Sequence, residues 1–241
     1  MKIAVMSWSF ASVLRSGEMD TAAVVRHCRE LGVDAVELMD AFIGDEQVEA
    51  VREALAETGA SVPCYDLSAD FVQADDAARR TAVDEVRAGL ARAAAFGAPL
   101  ALVVPGTLKE GVSPAAARAW ISEGLKECLS TADRLGIRLT IEDHSSQAAV
   151  YGRSEHLTWI RDRVGPQLAF TYDVGNFLLA GEDPLAALPR LAGHVAHVHF
   201  KDWHRAEPGA ERSVVGVDGR CYTGVVLGAG IVDLAGAMAG L

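Results

Sequence analysis

The sequence predicts an α/β fold of the (β/α) barrel kind with seven strands present, and three observations carry that expectation. Short apolar runs alternate with amphipathic stretches along the whole chain, with closing glycines at Gly32, Gly59, Gly97, Gly136, Gly165 and Gly193. In the last three runs one face is small or polar and the other bulky. That suits a narrow barrel interior, whereas an open doubly wound sheet would be bulky on both faces. Finally, Ser7, Glu37, Asp66, Glu142, Asp173 and His199 all fall at or near carboxyl ends of the runs, the rim where such barrels carry their sites. No G-x-G-x-x-G follows the first run, so the main support for a dinucleotide site is lacking.

Taken in order, residues 2–6 form a first strand and lead into Ser7, Trp8, Ser9 and Phe10. Asp20 caps a helix with Val24, Cys28 and Leu31 on one face. Strand two is expected over 33–39, with Glu37 in it, and a helix marked by Val48, Val51 and Leu55 follows. Strand three is expected over 60–65, with Asp66 just past it, then a helix buried along Val83, Val86 and Leu90. Strand four, 100–104, is apolar throughout, as in a parallel sheet covered by helices. Ser113 and Pro114 open the next helix, which carries Trp120, Ile121, Leu125, Cys128, Ala132 and Leu135. Strand five, 137–141, ends in Glu142-Asp143-His144, and a helix spans 155–163. Strands six (168–172) and seven (194–200) flank a helix capped by Asp183 and begun by Pro184. Residues 205–219, rich in charge and glycine, are expected as a mobile loop.

With 241 residues, half of them hydrophobic, one barrel domain over 1–241 is expected, with a substantial core. No apolar run reaches membrane-spanning length and the amino terminus lacks a cleavable leader pattern, so a soluble cytoplasmic protein is expected. Cys28, Cys64, Cys128 and Cys221 form no C-x-x-C pair, which argues against a zinc knuckle or a disulfide framework. A net charge of −11 disfavours nucleic acid or an anionic membrane as partner and suits a small neutral or metal-chelated substrate.

Alternation along a strand directs Glu142 with Thr140, Asp173 with Thr171, and His199 with His197 to one face each. Neighbouring parallel strands lie about 4.8 Å apart, so Glu142, Asp173 and His199 can converge on one ion. A lone acid or imidazole at a strand end is ordinarily a solvated or hydrogen-bonded residue. Three on adjacent strands with matched inward parity point instead to a metal site for Mn²⁺, Mg²⁺, Co²⁺ or Zn²⁺. His197, one layer deeper, reads as a packed and hydrogen-bonded residue beneath the ligand, and Asp143 faces outward by parity.

The segments LGVDAVEL, TIEDHSS, TYDVGN, HVHFKDW and LGAGIVD resemble the sugar phosphate isomerase/epimerase family, the xylose isomerase-like TIM barrels, in register over nearly the whole chain. The resemblance implies a TIM-type barrel, one divalent metal, Mn²⁺ foremost, held by Glu142, Asp173 and His199, and Glu142 as a proton-abstracting carboxylate. It further implies substrate contacts from Asn176 and Lys201, joined by the rim residues Trp8, Tyr65 and His144. The activity implied is isomerisation or epimerisation of a sugar or sugar-like ketose or polyol through an enediolate, in carbohydrate metabolism. A keto-polyol dehydratase or lyase and a catalytically weak metal- or polyol-binding remnant stand as alternatives. An apurinic-site endonuclease is least favoured, since it needs more histidines and a basic groove. The family's eighth strand and its glutamate have no counterpart after LGAGIVD. A gap is therefore expected between strands one and seven, with the site open to solvent there and the unpaired edges favouring a homo-oligomer.

Overall fold

The computed structural model describes residues 3–241. Seven parallel strands and their helices follow the expected rhythm. Strand β1 (Val5–Met6) leads through a 3-10 turn into helix α1 (Ala11–Ser16), then α2 (Thr21–Glu30), β2 (Val36–Met39), α3 (Val48–Thr58) and β3 (Tyr65–Ser68). Next come α4 (Asp76–Ala95), β4 (Leu100–Val104), α5 (Pro114–Arg134), β5 (Arg138–Glu142), α6 (Ser154–Val164) and β6 (Ala169–Asp173). After α7 (Val174–Leu179) and α8 (Pro184–Leu191), β7 (Val195–His199) ends the parallel sheet. The chain closes with β8 (Asp202–Ala206), β9 (Val214–Val215), β10 (Cys221–Val225) and α9 (Leu234–Gly240).

The sheet runs β1-β2-β3-β4-β5-β6-β7 in sequence order, an incomplete (β/α) TIM-type barrel. Among the described residues β1 and β7 are not paired, so the expected gap is present, and Lys2 of the expected first strand lies outside them. The helix stripes are set by periodicity. Val83, Val86 and Leu90 of α4 and Ile121, Leu125 and Cys128 of α5 are all buried. Each buried Val or Leu contributes about 1.5–3 kcal/mol against exposure. Asp20 and Ser113 cap α2 and α5 by accepting from Ala23 N and Ala116 N, as their positions predict. Leu31 departs from its expected stripe. It sits at the C-cap of α2, past the last helical turn, and is 64% exposed.

Two other expectations are corrected. Strand three begins at Tyr65 rather than ending there, because Pro63 offers no amide to the ladder; upstream only Ser61 bridges to Ala35. Residues 205–219 are not simply a loop: Arg205 and Ala206 finish β8, and Val214–Val215 form β9, both pairing antiparallel with β10. Their charge and glycine content masks a strand signal carried by only a few alternating residues.

One carboxylate anchors this antiparallel arm. Asp202, 3% exposed, accepts from the backbone N–H of Trp203 and Val232 on Oδ1 (2.9 and 3.1 Å) and of Gly228 and Gly230 on Oδ2 (2.9 and 2.8 Å). The loop after β10 is thereby wrapped around the start of β8. Burial pushes this carboxyl up, but the four amides outweigh it and hold its pKa below the usual carboxylate range. Its stabilisation is therefore present above the unfolded value near 3.9 and is lost as pH falls through the lower folded value. Asp202→Asn, which turns donors toward two N–H groups, is expected to cost about 3 kcal/mol in urea unfolding at pH 7, with the deficit shrinking at pH 3. Equal midpoints for the two proteins at pH 7 would contradict this anchoring role.

Candidate functional site

Glu142, Asp173 and His199 end β5, β6 and β7, and one donor atom from each lies within 4.8 Å of the other two. The strand register sets this up, pairing Glu142 with Thr171 and Asp173 with His199. One layer deeper, Thr140 and Thr171 share a hydroxyl hydrogen bond of 2.8 Å, so the inward faces of β5 and β6 meet below the carboxylates. Asp173 is fixed from three directions. Its N–H donates to Asp143 Oδ1 (3.0 Å), and its Oδ1 caps α7 by accepting from Gly175 N and Asn176 N (3.1 and 2.9 Å). That leaves Oδ2 for the site, where it meets Lys201 Nζ in an ion pair and lies 3.8 Å from His199 Nδ1. His199 Nδ1 also bonds Glu142 Oε2 at 3.1 Å.

The electrostatics follow from burial and partners. Burial pushes Glu142 up, but the hydrogen bond and charge of His199 outweigh it, so its pKa lies below the usual range and the carboxylate stays ionised. Burial pushes His199 down, yet the charge of Glu37 and the bonds to Glu142 and Glu37 lift it well above the ordinary imidazole value. Lys201 is likewise raised, since the nearby Asp173 charge outweighs desolvation.

Whether a divalent cation fits can be judged from the residues. Asp173 Oδ2 is fully buried and, beyond the Lys201 charge contact, accepts no directed hydrogen bond. Two carboxylates and an imidazole are a donor set that Mn²⁺, Mg²⁺, Co²⁺ and Zn²⁺ accept. The residues therefore fit such an ion. Two further groups have the same compactness, Glu37 with His197 and His199, and Glu37 with Cys64 and Asp66. In the first of these, both Glu37 oxygens are already engaged by the histidines.

The remaining expected contacts divide. Asn176 is 5% exposed and its Nδ2 donates to Asp143 O (2.9 Å), so its amide braces the turn below the site. His144 stays beside Glu142 at the rim, with Nδ1 bonded to Ser146 Oγ (3.0 Å). Trp8, 48% exposed, lies beyond β1 against Phe42, with the Arg15 guanidinium 4.7 Å over its ring. Tyr65 is not brought to the cluster. Its parity is opposite to that of Asp66, so it is buried beside Phe96 and its hydroxyl donates to Asp40 Oδ1 (2.7 Å).

The expectation of an open flank is also corrected, because Glu142, Asp173 and His199 are only 6%, 0% and 7% exposed. The chain leaving β7 folds over the start of α7, with Lys201 on Asp173 and Trp203 Nε1 donating to Gly175 O (3.1 Å). A Cβ on Gly175 would stand 2.6 Å from Trp203 Nε1 and 2.7 Å from Lys201 Cβ, so this close approach requires glycine. Asp143 is buried too, at 0% exposure, because β5 ends at Glu142 and strict alternation stops with it. Burial, with the charge of Asp173, pushes the Asp143 carboxyl well above its usual range. Sequence reading gives no role to Gly175 or Cys64, sets Asp143 outward, and places Asp66 at the rim without its partners Glu37 and Cys64; the glycine of TYDVGN and the strand-end Asp66 are the visible signals.

Removing the Lys201 cation is expected to leave Asp173 undercompensated. Lys201→Met should lose about 2 kcal/mol of stability, a value discounted because the side chain is 37% exposed, and Mn²⁺ should restore more stability to the variant than to the wild type. Urea unfolding with and without MnCl₂ measures both, and identical Mn²⁺ responses would count against the placement of the cation.

A family model described as xylose isomerase-like TIM barrel matches residues 25–241. The uncharacterized protein YfiH of Bacillus subtilis (strain 168) is 35% identical over 78 residues, 32% of this chain and 24% of YfiH, so the match spans about a quarter of that relative. The IOLI protein, solved with a bound zinc atom, superposes with a TM-score of 0.78 at 15% identity, covering 100% of this chain and 84% of that one. The probable 3-DHS dehydratase AsbF of Bacillus anthracis gives 0.76 at 17% identity, with 99% and 88% covered. The 3-keto-D-glucoside 4-epimerase YcjR of E. coli gives 0.72 at 17%, with 100% and 87% covered. At these identities the solved structures attest the fold.

Proposed function

This chain belongs to the xylose isomerase-like TIM barrels, and from that premise we propose that it is a divalent-metal-dependent isomerase or epimerase of a sugar or sugar-like ketose or polyol. The observation that carries the reading is the convergence of Glu142, Asp173 and His199 within 4.8 Å, with Glu142 held ionised. Glu142, Asp173 and His199 would hold the ion, Mn²⁺ foremost. When bound, it polarises the carbonyl and hydroxyl oxygens of a substrate and so acidifies the C–H between them.

The chain's own groups supply the rest. Glu142 is an ionised carboxylate in a dry site, suited to take a carbon-bound proton and return it. Its hydrogen bond to His199 Nδ1 orients Oε2, leaving Oε1 as the other oxygen available to a proton. Lys201, partly exposed, presents an ammonium donor to substrate oxygens beside Asp173. The flap formed by Lys201 and Trp203 over α7 excludes water, which keeps an enediolate from uncontrolled protonation. The net charge of −11 agrees with a neutral carbohydrate as substrate.

The test is ²H incorporation from D₂O into a panel of ketoses, followed by NMR, with the Mn²⁺-loaded chain. Glu142→Gln is expected to lower exchange by about 10²–10⁴-fold, whereas Asn176→Ala and Lys201→Ala, which would position rather than abstract, lose less. Exchange without net conversion marks a one-base site, and loss of water from the substrate would favour the dehydratase reading. Equal losses in all three variants, or no exchange with any ketose, would count against the proposal.

A further inference from the structure

Glu37 lies on β2, next to the edge strand farthest from β7 in the sheet order, yet it is bonded to both histidines of β7. Its Oε1 is 3.0 Å from His199 Nε2 and its Oε2 is 2.9 Å from His197 Nε2. Glu37 is 3% exposed, and the two imidazole rings stand at 87° to each other with centroids 5.2 Å apart, so each directs one nitrogen at a different carboxylate oxygen. These bonds cross the interior on the side where, among the described residues, β1 and β7 are not paired.

Each Glu37 oxygen faces one imidazole nitrogen, and in such a contact the ring N–H donates and the carboxylate oxygen accepts, so His199 Nε2 donates to Glu37 Oε1. The nitrogen left to face Glu142 Oε2 and Asp173 Oδ2 is Nδ1, which donates to Glu142 in the metal-free chain and gives up that hydrogen when it ligates an ion.

We propose that Glu37 is a positioning residue of the site, fixing the ring orientation of His199 and keeping the hydrogen on Nε2, so that Nδ1, and not Nε2, is the nitrogen that turns from Glu142 to the ion. The inference rests on the metal-dependent reading above. A carboxylate behind a ligand histidine generally sets its tautomer and basicity, and losing one costs about 10–100-fold in metal affinity. His197 shares Glu37 but offers no atom to the Glu142–Asp173–His199 group, so it serves as the control.

The experiment combines two readouts. Calorimetric titration with Zn²⁺ compares the wild type with Glu37→Leu, Glu37→Gln and His197→Gln. Glu37→Leu should bind about 10–100-fold more weakly. Glu37→Gln, which keeps one carbonyl acceptor for His199, should recover most of that loss, and His197→Gln should stay within about threefold of the wild type. Imidazole ¹⁵N correlation spectra of the full chain supply the second readout, without and with Zn²⁺. They should show a retained His199 Nε2–H in both states and a Zn²⁺-dependent shift at Nδ1. This wild-type measurement stands even if a variant does not fold.

Zinc on Nε2, or a folded Glu37→Leu with wild-type affinity, overturns the assignment. An equal loss in His197→Gln and Glu37→Leu also overturns it, since that would mean a general role in holding β2 to β7. If the wild type binds no divalent ion while the Nε2–H to Glu37 is observed, the metal-dependent reading fails and the clamp itself is upheld. Absence of both overturns both.

Discussion

Five carboxyl groups, those of Glu37, Asp66, Glu142, Asp143 and Asp173, are buried within one barrel mouth at 0–6% exposure, and the rest of the structure has to make that tolerable. An isolated buried carboxylate costs several kcal/mol, so each needs a cation, a proton or directed donors. The chain uses all three. His199 and His197 face Glu37, and His199 also faces Glu142. Lys201 and the α7 amides take the two oxygens of Asp173. Asp66 and Asp143, left without a cation, are pushed upward toward their neutral forms. The imbalance of acid over base explains why a further cation would be welcome among these residues.

The same residues connect electrostatics to architecture. With no pairing between β1 and β7 among the described residues, the barrel lacks backbone closure, and the bonds from Glu37 to His197 and His199 tie across the opening through side chains. After β7 the chain returns over α7 through Lys201 and Trp203, held by the glycine contact at Gly175 and by the four amides around Asp202. Thus the segments TYDVGN, HVHFKDW and LGAGIVD, far apart in the sequence, form one physical unit. Asp173 caps the helix that Trp203 rests on, and Asp202 grips the loop that follows.

Much of this was legible in the sequence because period and parity are local. The apolar run of residues 100–104 is strand four, the helix caps Asp20, Ser113 and Asp183 act as caps, and the inward parity of Glu142, Asp173 and His199 follows from alternation alone. The misses arise where local rules stop. Pro63 shifts strand three by removing a ladder donor, and Tyr65, of opposite parity to Asp66, faces the helices instead of the site. Alternation failed for Asp143 one residue past the strand end. The partnership of Glu37 with residues 160 and 162 positions away depends on the curl of the sheet that brings β2 opposite β7, which no local pattern encodes.

The most direct measurement of the central claim is anomalous diffraction from crystals of the chain grown with Mn²⁺. The account predicts one ion at about 2.0–2.2 Å from oxygens of Glu142 and Asp173 and from His199 Nδ1, with Lys201 Nζ moved off Asp173 Oδ2. An ion bound elsewhere, or Lys201 still seated on Asp173 with no anomalous signal between the three side chains, would contradict it.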